Sequence, residues 1–589
     1  MTVLAENYQS KGLRNDRGRK FIDSDYVYDI QNMNYDEIVG YKSIKYPSVK
    51  YNVGATKIDG GYDFTYIDAN GQFQSEHIIV QGSSIIKNWQ TTPTTIYTGL
   101  TAGNKCTFGI LNDKLIISNG VDFPLVYDGT TVREMGAPTA QDLNVAGSLT
   151  GTYYYALTYV INSVEVVIGT VSNTLSVTGN SIDLILPVGV SNVTERRIYR
   201  TEAGGSTLKL LHAIHDNTTT TYQDTKADNT LGSTIPTLNS PCPKPQFITV
   251  KDERLIGCGE SNRPNYLYVS EFEIEIFFRN FGAYDVSGVG NDNTKLTGLV
   301  VDYNQVVVFS EKQIYLADTS GITASIRQTN SNVGCIDGFS IARVPENDVL
   351  TGGIMFVSNL YDVRVFSGNI AINLATQLDN LRTNNFSIGL NQLAFDLEMK
   401  DNPIDAFFYD YKYHLIGNSM IYVYDIRIAG WTLYKIKTAT YTPTYWRFFQ
   451  IGNDLYISQK DAGIVEKMYQ DLSYRSELVA SYIETPEISV GTEKKFFHKL
   501  YVYFDKIGSA TVSTTVTIDN NKVINTSFSF DGGYYDPEYY DPEYYQTTED
   551  EQDYKVININ RYGQWMRVKL STTDQSKIKG WKLVGRVIQ

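Results

Sequence analysis

NDKLIISNG at 112–120, followed by LVYDGTTV at 125–132, is a polar turn, an alternating apolar strand, a second turn and a second strand. The phrase recurs as DERLIGCG with YLYVSE (252–271), YNQVVVFSEKQIYLAD (303–318), GGIMFVSNLYDVRVFSGN (352–369), YHLIGNSMIYVYD (413–425) and NDLYISQKDAGIVEKM (453–468). Apart from one gap, the copies begin about 40 to 60 residues apart, the period of a four-stranded propeller blade. One blade cannot bury both of its faces, so several must stack around an axis. The phrase therefore predicts an all-β protein built on a β-propeller, and function has to be argued separately.

Outward from these copies, an earlier unit begins with GYDFTYID (61–68) and EHIIVQGSSIIKNW (76–89), joined through Ala69-Asn70-Gly71. Asn-Gly between alternating runs is a strong hairpin signal. With the 112–132 copy, which closes near GAPTA (136–140), this makes a first propeller part over 56–140. Five more units between 247 and 475 give about seven blades, with six or eight also compatible with the spacing. Residues 1–55 read as a polar N-terminal lead-in.

The period breaks at 141–240, which has its own grammar. In SLTGTYYYALTYVINSVEVVIG (148–169), Tyr153, Tyr155, Leu157 and Tyr159 alternate onto one face of a strand. SIDLILPVG (181–189), the hairpin ERRIYRTEAGGSTLKLLHAI (195–214) and TTYQDTKADNTLG (220–232) follow. Six or seven short strands over about 90 residues fit an immunoglobulin-like or fibronectin-like sandwich. Pro236, Pro241, Pro243 and Pro245 mark a stiff return to the propeller. Residues 476–589, with strands in IETPEISVGTEKKFFHKLYVYFDKI, ATVSTTVTIDNN, QWMRVKLS and GWKLVGRVIQ, read as a C-terminal β-sandwich. Helical periodicity is almost absent; only 370–400 would tolerate a short helix.

Apolar residues at 42% and charged residues at 20% place the chain among globular proteins. Tyr (45) outnumbers Phe (25), as suits half-buried pleated surfaces whose hydroxyls reach a partner. The net charge is −14, and the one basic cluster is KGLRNDRGRK (11–20), which reads as a solvated arm or a contact for an acidic partner. An acidic chain is a poor tight, non-specific nucleic-acid binder, though it can form a surface past which DNA slides. Cys106, Cys242, Cys258 and Cys335 are widely spaced and read as small core residues. The N-terminus has no apolar core of a leader, and no run of about 18 apolar residues occurs, so neither secretion nor a membrane span is expected. Assembly in a reducing cytoplasm is the expectation.

Sequence motifs for chemistry are sparse. Phosphate-binding GxxxxGK[ST], HExxH and GxSxG are absent from the sequence, and no cofactor or metal is expected. His212 and His215, three apart on a strand, should point to opposite faces; His77, His414 and His498 stand alone. Asp128, Asp362 and Asp425 should cap turns, and Trp89, Trp431, Trp446, Trp565 and Trp581 should fill core or rim. A carboxylate pair on a propeller axis is invisible to sequence spacing, because each blade contributes separately. The tandem YYDPEYYDPEYY (534–545) reads as an exposed, turn-rich loop. Its Tyr534, Tyr535, Tyr539, Tyr540, Tyr544 and Tyr545 are candidate interface residues.

Several phrases resemble, in order, the propeller tail proteins of short-tailed bacteriophages, the tail-nozzle and packaged-DNA stabilisation family. QNMNYDEIVGYKSIKYPSV (31–49) is similar to the family's opening, though Lys45-Tyr46-Pro47-Ser48 stands where an Arg-Pro-Gly-like turn is usual. DERLIGCGESNRPNYLYVSEFEIEIFF (252–278), TKLTGLVVDYNQVVVFSEKQIYLAD (294–318), NVGCIDGFSIARV (332–344) and IMFVSNLYDVRVFSG (354–368) follow its next blades. The likeness spans most of 20–470, and its order matters more than any one phrase. It implies a virion tail component without catalytic residues, one of a ring of commonly six subunits below the portal and adaptor. That ring would retain packaged genome DNA and pass it without sequence-specific binding. Two rivals follow from the same residues: a receptor- or glycan-binding tail protein, and a polysaccharide-degrading tail enzyme.

Overall fold

The computed structural model describes residues 2–7, 13, 27–35, 40–68, 70–289, 295–321, 323–331, 333–346, 351–367, 383–385, 395, 398–400, 404–417, 420–427, 430–471, 474–489, 493–505, 510–530, 554–574 and 577–587. Among these, seven four-stranded antiparallel sheets form a β-propeller. Blade 1 runs from Ile58–Ile67 to Thr94–Thr98, blade 2 from Thr107–Leu111 to Val132–Glu134, and blade 3 from Phe247–Lys251 to Ala283–Asp285. Blade 4 runs from Leu296–Asp302 to Ser325–Gln328, blade 5 from Ala342–Glu346 to Thr383–Asn385, and blade 6 from Ala406–Tyr409 to Gly430–Tyr434. Blade 7 takes Tyr445–Ile451, Asp454–Gln459 and Ile464–Asp471 from one end of the chain and Tyr46–Asn52 from the other. The two ends of the propeller are thereby hydrogen-bonded into one sheet, which closes the ring of blades.

The alternation in the repeated phrase explains how blades stack. Leu115 and Ile117 face blade 1, while Ile116 between them faces blade 3. Val306 and Val308 join the blade 3 core, and Val307 and Phe309 the blade 5 core. Each second strand is therefore apolar on both faces, as a strand buried on two sides must be. Every adjacent pair of blades shares such a core, including blades 7 and 1, where Trp89 meets Tyr51, Phe449 and Tyr456 edge-on.

The lead-in, expected to stand apart over 1–55, is instead divided between two bodies. Tyr46–Asn52 belongs to blade 7. Thr2–Asn7, Asp29–Gln31, Met33–Tyr35 and Tyr41–Ser43 pair with strands of the C-terminal sandwich. That sandwich has a six-stranded sheet holding Lys495–Asp505, Tyr554–Gly563 and Lys577–Val587, and a five-stranded sheet holding Ser481–Glu484, Ala510–Ile518, Asn521–Phe530 and Met566–Thr572. Asn32 is where the chain crosses between the sheets, at φ 55°. Its amide donates to the carbonyls of Lys435 and Ala480 (both 2.9 Å), and its Oδ1 accepts from the Lys435 N–H at 2.7 Å. One asparagine thus ties the sandwich to the outer edge of blade 6.

The insert holds nine short strands between Thr139–Gln141 and Thr221–Asp224 where six or seven were expected, paired in three sheets. Tyr153, Tyr155, Leu157 and Tyr159 all enter its core, as their alternation predicts. That core continues into blades 2 and 3: the Tyr159 hydroxyl donates to the Gly136 carbonyl at 2.8 Å, and its ring meets Phe278 edge-on. Within the insert Arg200, fully buried, is held by Asp224 and Asp228 at 2.6 Å each. Residues 395 and 398–400 are helical; most of 370–400 lies outside the described residues.

Candidate functional site: an axial plug and a hairpin face

Because every blade begins in the same sense and its strands then alternate in direction, the propeller has two unlike faces. The hairpins joining first to second and third to fourth strands lie on one, here the hairpin face. The second hairpins and the links between blades lie on the other, the linker face.

At the linker face the axis is filled by a charge cluster. Asp405, fully buried just before the first strand of blade 6, accepts from the Arg447 guanidinium and from the Phe448 N–H at 2.6 Å. The Lys105 ammonium lies 3.7 Å from Asp405 and donates to the Ile404 carbonyl at 2.5 Å. Phe339 sits among them, its ring centroid 4.4 Å from the Arg447 guanidinium and 5.0 Å from the Lys105 ammonium. Asp59 accepts from Trp446 Nε1 (3.1 Å) and the Gly103 N–H (3.0 Å), and the Lys57 ammonium stacks 3.2 Å above the same indole. Burial pushes the Asp59 and Asp337 carboxyls up and the Lys105 ammonium down, with the opposite charges opposing each shift.

Formally three cations (Lys57, Lys105, Arg447) face three carboxylates (Asp59, Asp337, Asp405), and Asp405 and Asp59 spend their oxygens on cations and N–H donors. That is the chemistry of a rivet, where desolvation is offset only while every partner stays. Beside it lies a cavity of ≈ 350 Å³ on the axis, lined by Tyr62, Phe108, Phe247, Phe339 and Arg447 among others.

The hairpin face is the reverse. Among the described residues, the four highly exposed propeller aromatics stand on it: Phe73 (73%), Phe272 (55%), Tyr303 (77%) and Tyr411 (51%). Tyr303 and Tyr411 hold φ of 47° and 59° at the tips of their hairpins. Such backbone is uncommon for bulky side chains and suits Gly, Asn or Asp. An arginine backs each ring, Arg343 at 4.9 Å from Tyr303 and Arg427 at 5.5 Å from Tyr411. Acidic residues accompany them, since each of the six described first hairpins carries at least one at or beside its tip: Asp68, Asp113, Asp252, Asp302, Asp410 and Asp454.

The residues singled out in the sequence fall as follows. Tyr534, Tyr535, Tyr539, Tyr540, Tyr544 and Tyr545 lie outside the described residues. Asp128 caps its turn, accepting from the N–H groups of Thr130 and Thr131 at 2.9 and 2.8 Å, and Asp425 does the same for Arg427 at 3.0 Å. Asp362 is held by Ser358 and Arg364. His212 stacks on Tyr222 while His215 meets Glu195, so the two do not converge. Trp89, Trp431, Trp446 and Trp581 are buried, and Trp565 is half-buried. The four cysteines are buried free thiols, with Cys335 pushed up to about 12 by desolvation. Among the described residues no group of three His, Cys, Asp or Glu could hold a metal, and no helix is long and apolar enough to cross a membrane. Sequence reading missed Lys105, Asp337, Asp405 and Arg447. Their signal was a charge just before an axial strand (Lys105, Asp405) or within one (Arg447), with Asp337 in the link between blades 4 and 5.

Comparison with protein-family models finds no match, and comparison with curated proteins finds none either. Solved structures similar to this chain include the computationally designed Ika8 protein, at 10% identity over 71% of this chain and 99% of that one (TM-score 0.30). YCF48 bound to a D1 peptide matches at 9% identity over 76% and 99% (TM-score 0.30). BamB from Moraxella catarrhalis matches at 12% identity over 68% and 92% (TM-score 0.30). The propeller assignment rests on the strand pairing of the chain itself, its seven closed four-stranded sheets.

Proposed function

We propose that this chain is a structural subunit of a short-tailed phage tail, forming a closed ring below the portal and adaptor that retains packaged DNA and conducts it at ejection. The order of family-like phrases over 20–470 prompts the reading, and the contrast between the two propeller faces carries it. Lys105, Phe339, Arg447 and Asp405 fill the axis of the single subunit, so a duplex would run between subunits rather than through one. A channel of that kind needs a ring, and closed symmetry prevents the contact from running on into filaments. Hairpin tips whose cations are already paired, Lys251 with Asp252, Arg343 with Asp302, Lys412 with Asp410 and Lys467 with Asp454, would line or adjoin such a channel without retaining DNA, because phosphate binding needs clustered free cations. The insert, which we take as immunoglobulin-like, and the C-terminal sandwich share cores with the propeller and would transmit load to neighbouring rings.

Exposed Phe73, Tyr303 and Tyr411 favour a second reading, in which the hairpin face binds a receptor glycan by ring stacking. Cryo-electron microscopy of the chain with the portal–adaptor complex separates the two. A closed ring on the tail axis is expected. Single copies or trimers at the periphery overturn the ring and favour receptor binding, which a glycan array would then test.

A further inference from the structure

The outer side of the six-stranded sheet carries an aromatic and basic surface that the ring reading does not use. Along Lys495–Asp505, Phe497, Leu500, Val502 and Phe504 enter the sandwich core, which turns Phe496, Tyr501 and Tyr503 outward. The flanking strands continue the surface: Tyr503 lies opposite Tyr554, Phe496 lies between Tyr562 and Arg586, and Tyr501 lies opposite Lys582. The rings touch. Tyr554 is 5.5 Å from both Tyr501 and Tyr503, and Phe496 is 4.8 Å from Tyr562 with the Arg586 guanidinium 5.5 Å above it. Lys499 and Arg586 are the cations of this face, and Lys582 joins them beside the edge strand, opposite Glu6. In a chain of net charge −14, this is a local excess of cations.

Residues 531–553 join Phe530 to Tyr554, and Tyr554 is itself part of that surface. The segment contains nine Asp or Glu, six Tyr and no Lys or Arg. Its chain enters the fold beside the aromatic ladder, its charge is opposite to that of Lys499, Lys582 and Arg586, and its tyrosines are the ring type already stacked there. We propose that residues 531–553 dock on the outer face of the six-stranded sheet of their own chain. The carboxylates pair with the three cations, and the YYDPEYYDPEYY tyrosines extend the stack. The tether holds the segment at millimolar-scale effective concentration, so individually weak contacts suffice. The proposal is independent of the phage reading.

Chymotrypsin, which cuts after tyrosine, reads the contact in the full chain by mass spectrometry. At low ionic strength, cleavage within 534–545 is expected to be slow, and Lys499→Glu/Lys582→Glu/Arg586→Glu is expected to accelerate it about tenfold. Salt at 0.5 M should do the same to the native chain and little to the variant, whereas Lys312→Glu/Lys437→Glu should change nothing. As a check that does not depend on the triple variant folding, a chain with 534–545 deleted should bind a synthetic 531–553 peptide by fluorescence anisotropy, and the intact chain should not. Equal cleavage in native and triple-variant chains, or no peptide binding by the deleted chain, overturns the proposal. So does salt-sensitive binding of an oligo-dT probe to Lys499, Lys582 and Arg586 with the segment still freely cut, which would assign the face to nucleic acid.

Discussion

The two ends of the propeller axis are built from the same repeat and meet water differently. At the linker face, charged side chains are drawn inward and neutralised: Asp405 is fully buried between Arg447 and Lys105. At the hairpin face, aromatic side chains are pushed outward, Tyr303 and Tyr411 on turns that suit smaller residues. A repeat dictates the strands, but each face adds what its surroundings require. Buried charge holds blades in register, and exposed rings are available to something else. The interior end can be tested through stability, and the exposed end only through what it touches.

The largest effect is expected at the plug. Asp405→Ala leaves Lys105 and Arg447 buried without their carboxylate, at a cost of about 3–5 kcal/mol. Urea unfolding should show the loss as a lower midpoint at unchanged slope. Asp405→Asn keeps an acceptor for the Phe448 N–H and should cost less. If Asp405→Ala is as stable as the native chain, the plug is not a rivet and the contrast between the faces fails.

At the outer edge of the same propeller, Asn32→Ala removes three side-chain hydrogen bonds and leaves a left-handed residue without its natural side chain. The expected cost is about 2–4 kcal/mol, set by the Ala480 and Lys435 backbone groups left unsatisfied in the joint. Calorimetry checks it: the sandwich transition should separate from the propeller transition in the variant.

A pH effect of about 2 kcal/mol should come from beneath the hairpin face. His414 is fully buried, donating from Nδ1 to the Lys412 carbonyl (3.1 Å) and accepting the Tyr469 hydroxyl at Nε2. Burial lowers its pKa to about 3, so the folded state keeps it neutral. The unfolded chain takes up the proton near the ordinary histidine value, so this stability is complete above about pH 6.5 and falls as pH drops toward 3. Between pH 6.5 and 5 the loss is about 2 kcal/mol. His414→Gln should flatten that part of the urea-midpoint profile. An unchanged profile would mean that other groups set the acid sensitivity.

The propeller was legible because its code is local. KLIIS and QVVVF each place neighbouring residues in cores of two different blades, and period-two burial on both faces is readable without a structure. The ends of the chain were not legible, because Tyr46–Asn52 pairs with Ile464–Asp471 some 400 residues later, and no short-range pattern encodes that pairing. The lead-in was read as a separate segment for the same reason. The plug was hidden in a different way: Lys105, Asp405 and Arg447 belong to three blades and converge only at the axis. Turn roles such as that of Asp128 were readable, since an Asp side chain bonds two residues on.

The smallest effect is the most telling for the hairpin face. If Tyr303 and Tyr411 served only to turn the chain, selection would favour glycine or asparagine there, because a φ near +50° penalises a bulky side chain. Tyr303→Gly and Tyr411→Gly should therefore leave stability unchanged or raise it by up to about 1 kcal/mol, after the lost arginine–ring contact is set against the relieved backbone. A thermal shift measurement resolves a change of that size in paired samples. If each variant loses more than about 1 kcal/mol, the rings are structural and their exposure needs no partner. If the variants are as stable as the native chain but fail to assemble with the portal–adaptor complex, the tyrosines are held at a local cost for a contact made outside the subunit.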